Sequence, residues 1–370
     1  MKFTCLKENL FPAIEAISRV GGRATTLPIL QQTLIEATEG RISFTTTDLE
    51  IAIETWVSGK VDQPGKGTAP TALFTQLITQ ALPGKISVER KSAALAVKTE
   101  NFSSTLAGFD PAEFPIIPKL ASARRAGTIP GETLARAITQ VLPAAATSDV
   151  RPELSGLYLE FGGRALTLAA TDSFRLAERT LTPVARREGE KPEKVIVPAR
   201  AMSEVSRIFG VGNEEIEVLV EKAQIVFQAK NTRLTSRLIE GEYPEYRAIL
   251  PKSAATELVV SRQELLAHIR TASLFAGRVK DVVLEGNPEK GTLAIRSGEG
   301  DVGEYEATMP AHGSGDAVTV TFNHRYLLDG LGALEGEEVK LAFSGEAAPG
   351  LLQDPNEKRF LYLLMPIKRT

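Results

Sequence analysis

The 370 residues hold one cysteine, one tryptophan, three histidines and four methionines. A lone thiol, Cys5, excludes an intramolecular disulfide framework and fits a reducing compartment. It alternates with Phe3 in the opening segment and reads as a small buried apolar side chain on a strand. The histidines, at 268, 312 and 324, have neither metal-ligand spacing nor a neighbouring carboxylate pattern. His312 reads as a solvated turn residue, and His268 and His324 as surface or capping residues on helices. No stretch approaches the ~18 consecutive apolar residues of a membrane span. The amino terminus has no apolar core between its lysines before Glu8, so a signal peptide is not expected. There is no glycine-rich phosphate loop, nucleophile elbow or cysteine–histidine pair. Excess positive charge is missing too: 43 Lys and Arg against 46 Asp and Glu leave a net charge of −3. Any nucleic-acid surface must therefore come from local segregation of charge. The expectations are a cytoplasmic protein, not an enzyme, with no cofactor, no metal and no membrane contact.

What is present is a globular composition, 43% apolar and 24% charged, in a chain too long for one ordinary core of roughly 100–200 residues. It repeats itself. Arg41 to Asp48, continuing to Glu54, recurs as Ala165 to Asp172, continuing to Glu178. Thr47 and Thr171, Asp48 and Asp172, and Glu54 and Glu178 are each 124 residues apart. A weaker third copy, Gly291 to Ser297, lacks the Thr-Asp pair. Upstream, Leu10, Ile14 and Ile17 recur as Leu134, Ile138 and Val141, and again as Leu265, Ile269 and Ala272. That i, i+4, i+7 spacing is the apolar stripe of an amphipathic helix. Second helices are expected near Pro70, Pro198 and Asn323, with the prolines in the first turn and Phe74, Met202 and Leu327 at matched positions. Alternating strands follow at Ile86–Val88, Ile216–Val220 and Val339–Phe343. Glu113-Phe114-Pro115 and Glu242-Tyr243-Pro244 open two polar, proline-rich stretches, about 115–127 and 243–256, that read as linkers. The fold class is α+β: three equivalent domains, 1–122, 123–253 and 254–370, each with two helices and mostly antiparallel strands.

Asp48 and Asp172 admit a metal-dependent hydrolase, but no partner ligands accompany them; an aspartate closing a turn on its own backbone accounts for both. Arg19 and Arg23 at the end of the first helix, and Arg136, Arg200, Arg207, Arg270 and Arg325 on later ones, have two readings. They are solvated faces of single helices, or they line one surface for phosphate backbones, bound by charge without sequence readout. The closing segment Phe360 to Thr370 reads as a strongly apolar strand, and its face ending in Met365-Pro366-Ile367 offers an adaptable surface for peptide capture. A repeat scaffold that binds proteins without DNA is the third reading.

Several segments carry a resemblance, in order, over the whole chain: Met1 to Thr4, Thr26 to Leu30, Thr47 to Glu50, Ser148 to Arg151, Thr171-Asp172 with Arg175 to Ala177, Tyr243-Pro244, Leu250 to Lys252, and Tyr362 to Pro366. Together they resemble the bacterial sliding clamps, the beta subunits of DNA polymerase III. The resemblance implies a head-to-tail homodimer closing a ring of six domains, helices facing the hole and strands outside. Double-stranded DNA would thread the hole without sequence readout, touched by the seven arginines, of which Arg23 matches a DNA-contacting arginine of the family. The replicative polymerase subunit, the clamp loader and other partners would dock a short Leu/Phe-containing motif between the second and third domains. The residues implied there are Arg151, Leu154, Thr171, Arg175, Leu176, Pro244, Ile249, Leu363, Leu364, Met365 and Pro366, with Met365 facing a wall of Leu176 and Ile249 and with Arg151 and Arg175 on the rim. Ser173, Phe174 and Ala248 depart from the common pattern, and Pro152-Glu153 replaces a pair of aromatics. The subunit interface is expected on strands around Phe102–Leu106 and around Ser273, Leu274 and Phe275.

Overall fold

The computed structural model describes residues 1–21, 27–118, 123–148, 150–185, 192–251, 253–299 and 303–368, leaving aside the side chain of Glu299. The first copy runs β1 (Lys2–Leu6), α1 (Lys7–Gly21), β2 (Gln32–Thr38), β3 (Arg41–Thr47), β4 (Ile51–Ser58), β5 (Lys60–Gln63), β6 (Gly65–Pro70), α2 (Thr71–Gln80), β7 (Lys85–Lys91), β8 (Ala94–Lys98) and β9 (Ser103–Ala107). The second runs β10 (Arg124–Pro130), α3 (Gly131–Val141), β11 (Gly156–Gly162), β12 (Ala165–Thr171), β13 (Arg175–Leu181), β14 (Glu193–Pro198), α4 (Ala199–Phe209), β15 (Glu215–Glu221), β16 (Gln224–Gln228) and β17 (Thr232–Arg237). The third runs β18 (Thr256–Ser261), α5 (Arg262–Ala272), β19 (Asp281–Asn287), β20 (Thr292–Glu299), β21 (Gly303–Pro310), β22 (His312–Gly315), β23 (Val318–Asn323), α6 (His324–Ala333), β24 (Glu338–Phe343), β25 (Gly350–Asp354) and β26 (Glu357–Leu364).

The repeat extends to individual hydrogen bonds. The first N–H of each leading helix is orphaned within the helix, and in every copy a carbonyl from the loop after the second helix accepts it. Lys7 donates to Gly84 (2.9 Å), Gly131 to Glu214 (2.8 Å) and Arg262 to Glu337 (2.9 Å). The apolar stripes are buried as the spacing requires: Leu10, Ile14 and Ile17, Leu134, Ile138 and Val141, and Leu265, Ile269 and Ala272 are all at most 1% exposed. Phe74, Met202 and Leu327 are fully buried on the second helices. Pro70 and Pro198 end strands β6 and β14 and stand just before those helices, outside the first turn where they were expected.

Backbone contacts divide the chain into two compact units, 1–132 with 207–238 and 133–206 with 239–370. In the first, β17 pairs antiparallel with β4, from Thr232 opposite Thr55 to Ser236 opposite Ile51, and joins two half-sheets into eight strands ordered β10-β15-β16-β17-β4-β3-β2-β6. In the second, β13 pairs with β26, from Arg175 opposite Leu364 to Arg179 opposite Phe360, in a nine-stranded sheet β14-β11-β12-β13-β26-β25-β24-β18-β22. Smaller sheets complete them, β5-β1-β7-β8-β9 in the first unit and β21-β20-β19-β23 in the second.

Three expectations need correction. His312 is not in a turn: it opens edge strand β22, which lies so close to β18 that a Cβ at Gly313 would stand 1.8 Å from the Glu257 carbonyl oxygen. Only glycine allows that approach. His324 is 9% exposed, and Asn323 is the residue that caps α6, its Oδ1 accepting from Arg325 N–H at 2.9 Å. Burial first, then Arg325 and Lys280, hold the His324 imidazole below its ordinary pKa. The stretch expected as a linker at 243–256 is not loose over its first part, where Tyr243, Tyr246 and Leu250 are packed, as described next; of the other, 115–127, residues 119–122 lie outside the described residues and 124–127 belong to β10.

Candidate functional site

The turn from Thr171 to Arg175 is closed by its own side chains. Asp172 Oδ1 accepts from Phe174 N–H (2.9 Å) and Arg175 N–H (3.0 Å). Thr171 Oγ1 accepts from Ser173 N–H (3.1 Å) and donates to the Arg175 carbonyl (2.6 Å), with Ser173 at φ 76°. The first copy builds the same turn: Asp48 Oδ1 accepts from Glu50 (3.1 Å) and Ile51 (2.8 Å), Thr47 donates to Ile51, and Leu49 sits at φ 77°. The turn-closing reading of both aspartates holds. Among the described residues no three His, Cys, Asp or Glu side chains are placed to hold a metal ion.

Arg175, 11% exposed in its side chain, ties this turn to the third copy. Its Nε donates to Asp172 Oδ2 at 3.0 Å, its Nη1 to Asp329 and to Tyr362 Oη, and its guanidinium lies 4.4 Å from the Tyr326 ring centroid. Burial opposes the charge, but Tyr362, Asp329 and Asp172 outweigh it and raise the pKa. A cation so fully engaged is a brace and not an open rim. On the same turn the Phe174 carbonyl accepts from Met365 N–H at 2.9 Å, and Ile367 N–H donates to Thr321 at 2.8 Å, so the last strand is held beyond its end.

Beneath lies an aromatic cluster. Tyr158, Ala169, Leu176, Tyr246 and Leu363 form a buried core, with Tyr243, Leu250 and Leu351 packed against it. Tyr243 stacks on Tyr158 at 5.1 Å between centroids and accepts from Thr171 N–H through its hydroxyl. The Tyr246 hydroxyl donates to Glu178 at 2.5 Å, and Arg247 pairs with Glu160 at 2.7 Å. Desolvation raises the pKa of both phenols.

Of the eleven residues expected in the docking site, Leu154, Leu176, Leu363 and Leu364 are at most 2% exposed, and Thr171 is 6% exposed. These five are therefore not open to solvent, and Leu176 faces the aromatic core and is not an open wall. The apolar surface left to solvent is Met365 (37%), Ile249 (48%) and Phe174 (60%), with Pro244 and Pro366 half-buried. Arg151 is exposed and pairs with Glu153 at 3.0 Å.

The arginines divide. Arg19, Arg270 and Arg325 are exposed, with no side-chain ion pair among the described residues. Arg136 pairs with Glu335, and Arg207 donates to the Ala16 and Glu15 carbonyls of α1, so neither is a bare cation. Arg200 is half-buried, and Arg23 lies outside the described residues.

At the expected subunit interface, Leu106 is 2% exposed and belongs to the unit's own core, while Phe102 is half-buried. Ser273, Leu274 and Phe275 form a turn after α5 and not a strand. Leu274 is 73% exposed, and Phe275 stacks on Tyr305 of β21 at 5.9 Å.

Family models for the amino-terminal, central and carboxy-terminal domains of the DNA polymerase III beta subunit match residues 1–118, 128–245 and 247–368. The chain belongs to that family. The beta sliding clamp of Bacillus subtilis (strain 168) is 29% identical over 384 residues, covering all of both chains. That of Synechococcus elongatus is 28% identical over 375 residues, covering 100% of this chain and 99% of the relative. Among solved structures, the sliding clamp of Bacillus subtilis superposes with a TM-score of 0.95 at 28% identity, and the beta subunit of Pseudomonas aeruginosa with 0.94 at 26%, each over the full length of both chains. A Pseudomonas aeruginosa clamp bound to griselimycin matches at 0.94 and 27% identity, again over the full length of both chains.

Sequence reasoning missed Asp329, Tyr326 and Tyr362 around Arg175, because their partners are more than 150 residues away in the chain. It also missed the tyrosines of 243–246. The tyrosines flanking Pro244 were a signal, since buried aromatics in a proline-rich stretch argue against a free linker.

Proposed function

We propose that two copies of this chain close head-to-tail into a ring around double-stranded DNA and act there as a processivity factor, binding and tethering without catalysis. The observation that carries this is the strand arithmetic of the repeat. Strands β4 and β13 each pair with the last strand of the following copy, β17 and β26. Their counterpart in the third copy is β21, and the counterpart of β17 and β26 in the first is β9; both are edge strands without an outer partner among the described residues. A second copy satisfies both edges at once, and such a heterologous contact closes when two half-turns complete the circle. By the register of the other two joints, Glu304 stands opposite Thr105 of the second copy, beside Leu274 and Phe275.

In this reading the domains are 1–122, 123–253 and 254–370. Arg19, Arg23, Arg200, Arg270 and Arg325 give weak, salt-sensitive phosphate contacts that permit sliding. Arg136 and Arg207 contribute to a lesser degree through their existing partners. Met365, Ile249 and Phe174 receive the Leu/Phe end of a partner's linear motif, from the polymerase, the clamp loader or others. The ring raises the polymerase's effective concentration at the primer end, and the protein works in the cytoplasm, where the chromosome lies. No helix among the described residues is long and apolar enough to cross a membrane.

The test uses a Thr105→Cys/Glu304→Cys variant, oxidised on nicked circular DNA. A covalent dimer retained on the circle and released when the circle is linearised is the expected result. Cross-linked protein that leaves circular and linear DNA alike would refute topological tethering.

A further inference from the structure

The packed cluster of the second unit has a counterpart in the first, and there the same positions are hollow. In the second unit Tyr158 stands opposite Ala169 and Ala169 opposite Glu178, while Leu176 and Leu351 both stand opposite Leu363. In the first unit the same ladder reads Leu34 opposite Thr45 and Thr45 opposite Glu54, with Ala52 and Val226 both opposite Thr235. Tyr158 has become Leu34, Leu176 has become Ala52, Leu363 has become Thr235, and Leu351 has become Val226. Among the described residues, this sheet faces a cavity of about 990 Å³ bordered by Phe114 to Pro118 and by Ala123. A volume of that size matches ligand-binding clefts, whereas a packing flaw is seldom larger than a few waters. Ile116, on that border, is 93% exposed.

The filled unit shows what fits the space. There Tyr243 and Tyr246 lie on the sheet in a segment that turns at Pro244 to Tyr246 and enters a short 3-10 helix, Tyr246–Ile249, the second tyrosine donating its hydroxyl to Glu178. Glu54 holds the Glu178 position in the first unit. The charges differ in one respect. Both units keep a lysine on the outer glutamate, Lys194 on Glu160 and Lys66 on Glu36. In the second unit Arg247, from the packed segment itself, pairs with Glu160 and Glu178 at 2.7 and 3.6 Å. In the first unit Arg41 and Arg233 converge on Glu54 at 3.9 and 3.5 Å, so three cations surround two carboxylates there against two cations in the second unit.

We propose that this hollow is a second docking site, for a short turned segment of a partner protein that inserts an aromatic side chain and carries carboxylates beside it. The aromatic ring fills the space that Tyr246 fills in the other unit, and the carboxylates meet the surplus positive charge of Arg41, Lys66 and Arg233. Neither feature depends on the ring or on the site at Met365.

The probe is a fluorophore-labelled pentapeptide with the sequence of residues 242–246, Glu-Tyr-Pro-Glu-Tyr, amidated, and a second peptide with lysine in place of both glutamates. Binding is followed by anisotropy on the full-length protein and by emission of Trp56, the only tryptophan, over which Arg41 stacks at 4.2 Å. The acidic peptide should bind and perturb Trp56, and the lysine peptide should not. Ala52→Leu/Thr235→Leu, which restores the side chains of the filled unit, should weaken binding by about tenfold or more, as truncating or blocking an anchor pocket commonly does. Met365→Ala should leave it unchanged. Loss of binding in Met365→Ala would place the peptide at the other site and overturn the proposal. So would equal affinity for both peptides, equal affinity for the filled variant, or no binding to the wild type. If the filled variant does not fold, the comparison of the two peptides decides.

Discussion

Two joints between repeats, built on one backbone plan, have opposite interiors. At the joint of the second unit, strands β13 and β26 carry Leu176 and Leu363 beneath two tyrosines, and the space is closed. At the joint of the first, strands β4 and β17 carry Ala52 and Thr235, and the space is open. The ladders, the aspartate turns and the helix-start hydrogen bonds are the same. The lesson is that a duplicated domain conserves what the backbone needs, while side chains on the outer sheet face, which no backbone group depends on, are free to take up different tasks.

The comparison is broken most severely by hollowing the filled joint. Leu176→Ala removes a fully buried side chain from the aromatic core and should destabilise the second unit by about 3 kcal/mol, in the range for leucine truncation with a residual cavity. Ala52→Leu, its mirror in the first unit, enters open space and should change stability by less than about 1 kcal/mol. Denaturant midpoints, with hydrogen exchange to localise the change, measure both. Equal losses would mean that the two joints pack alike.

The aspartate turns give a finer contrast. Asp48→Ala should lose about 1 kcal/mol, the typical value of an acceptor that closes a turn. Asp172→Ala removes the same turn contacts and also the Arg175 ion pair, leaving a largely buried guanidinium with less compensation, so about 2–3 kcal/mol is expected. In a thermal melt the two variants should differ clearly. If they do not, Asp329 and Tyr362 alone hold Arg175.

The smallest expected effect concerns α6, which opens with a histidine. Burial, Arg325 and Lys280 depress the pKa of His324, so the unfolded chain binds this proton more readily than the folded one. Stability from this source is present above the ordinary value of 6.5 and is lost as pH falls below it. His324→Thr, which copies Thr71 at the start of α2, should flatten the pH dependence of the denaturant midpoint as pH falls below about 6.5. An unchanged slope would assign the acid sensitivity to other groups.

Cys5 illustrates a reading that needed little more than the local pattern. Its alternation with Phe3 predicted a buried strand position, and it is 5% exposed, its thiol pushed up to about 12 by burial. The helix stripes were equally legible, because a 3.6-residue period shows directly which face is apolar. So was the three-fold repeat, since Thr47-Asp48 and Thr171-Asp172 are the same turn written twice. Local rules and internal duplication therefore determined the elements, their order and the α+β class.

Tertiary structure decided what those rules cannot reach. It showed that Tyr243, Tyr246 and Leu250 are packed and that Leu106 is buried. Arg175 proved to be braced by Asp329 and Tyr362, partners more than 150 residues away in the chain. Ala52 and Thr235 look unremarkable in sequence; only their pairing across β4 and β17 makes them the floor of one hollow. Periodicity reports which side of an element is apolar. Which distant side chain meets it, and how much space is left between them, depends on strand pairing over long separations, and the chain settles that only when it folds.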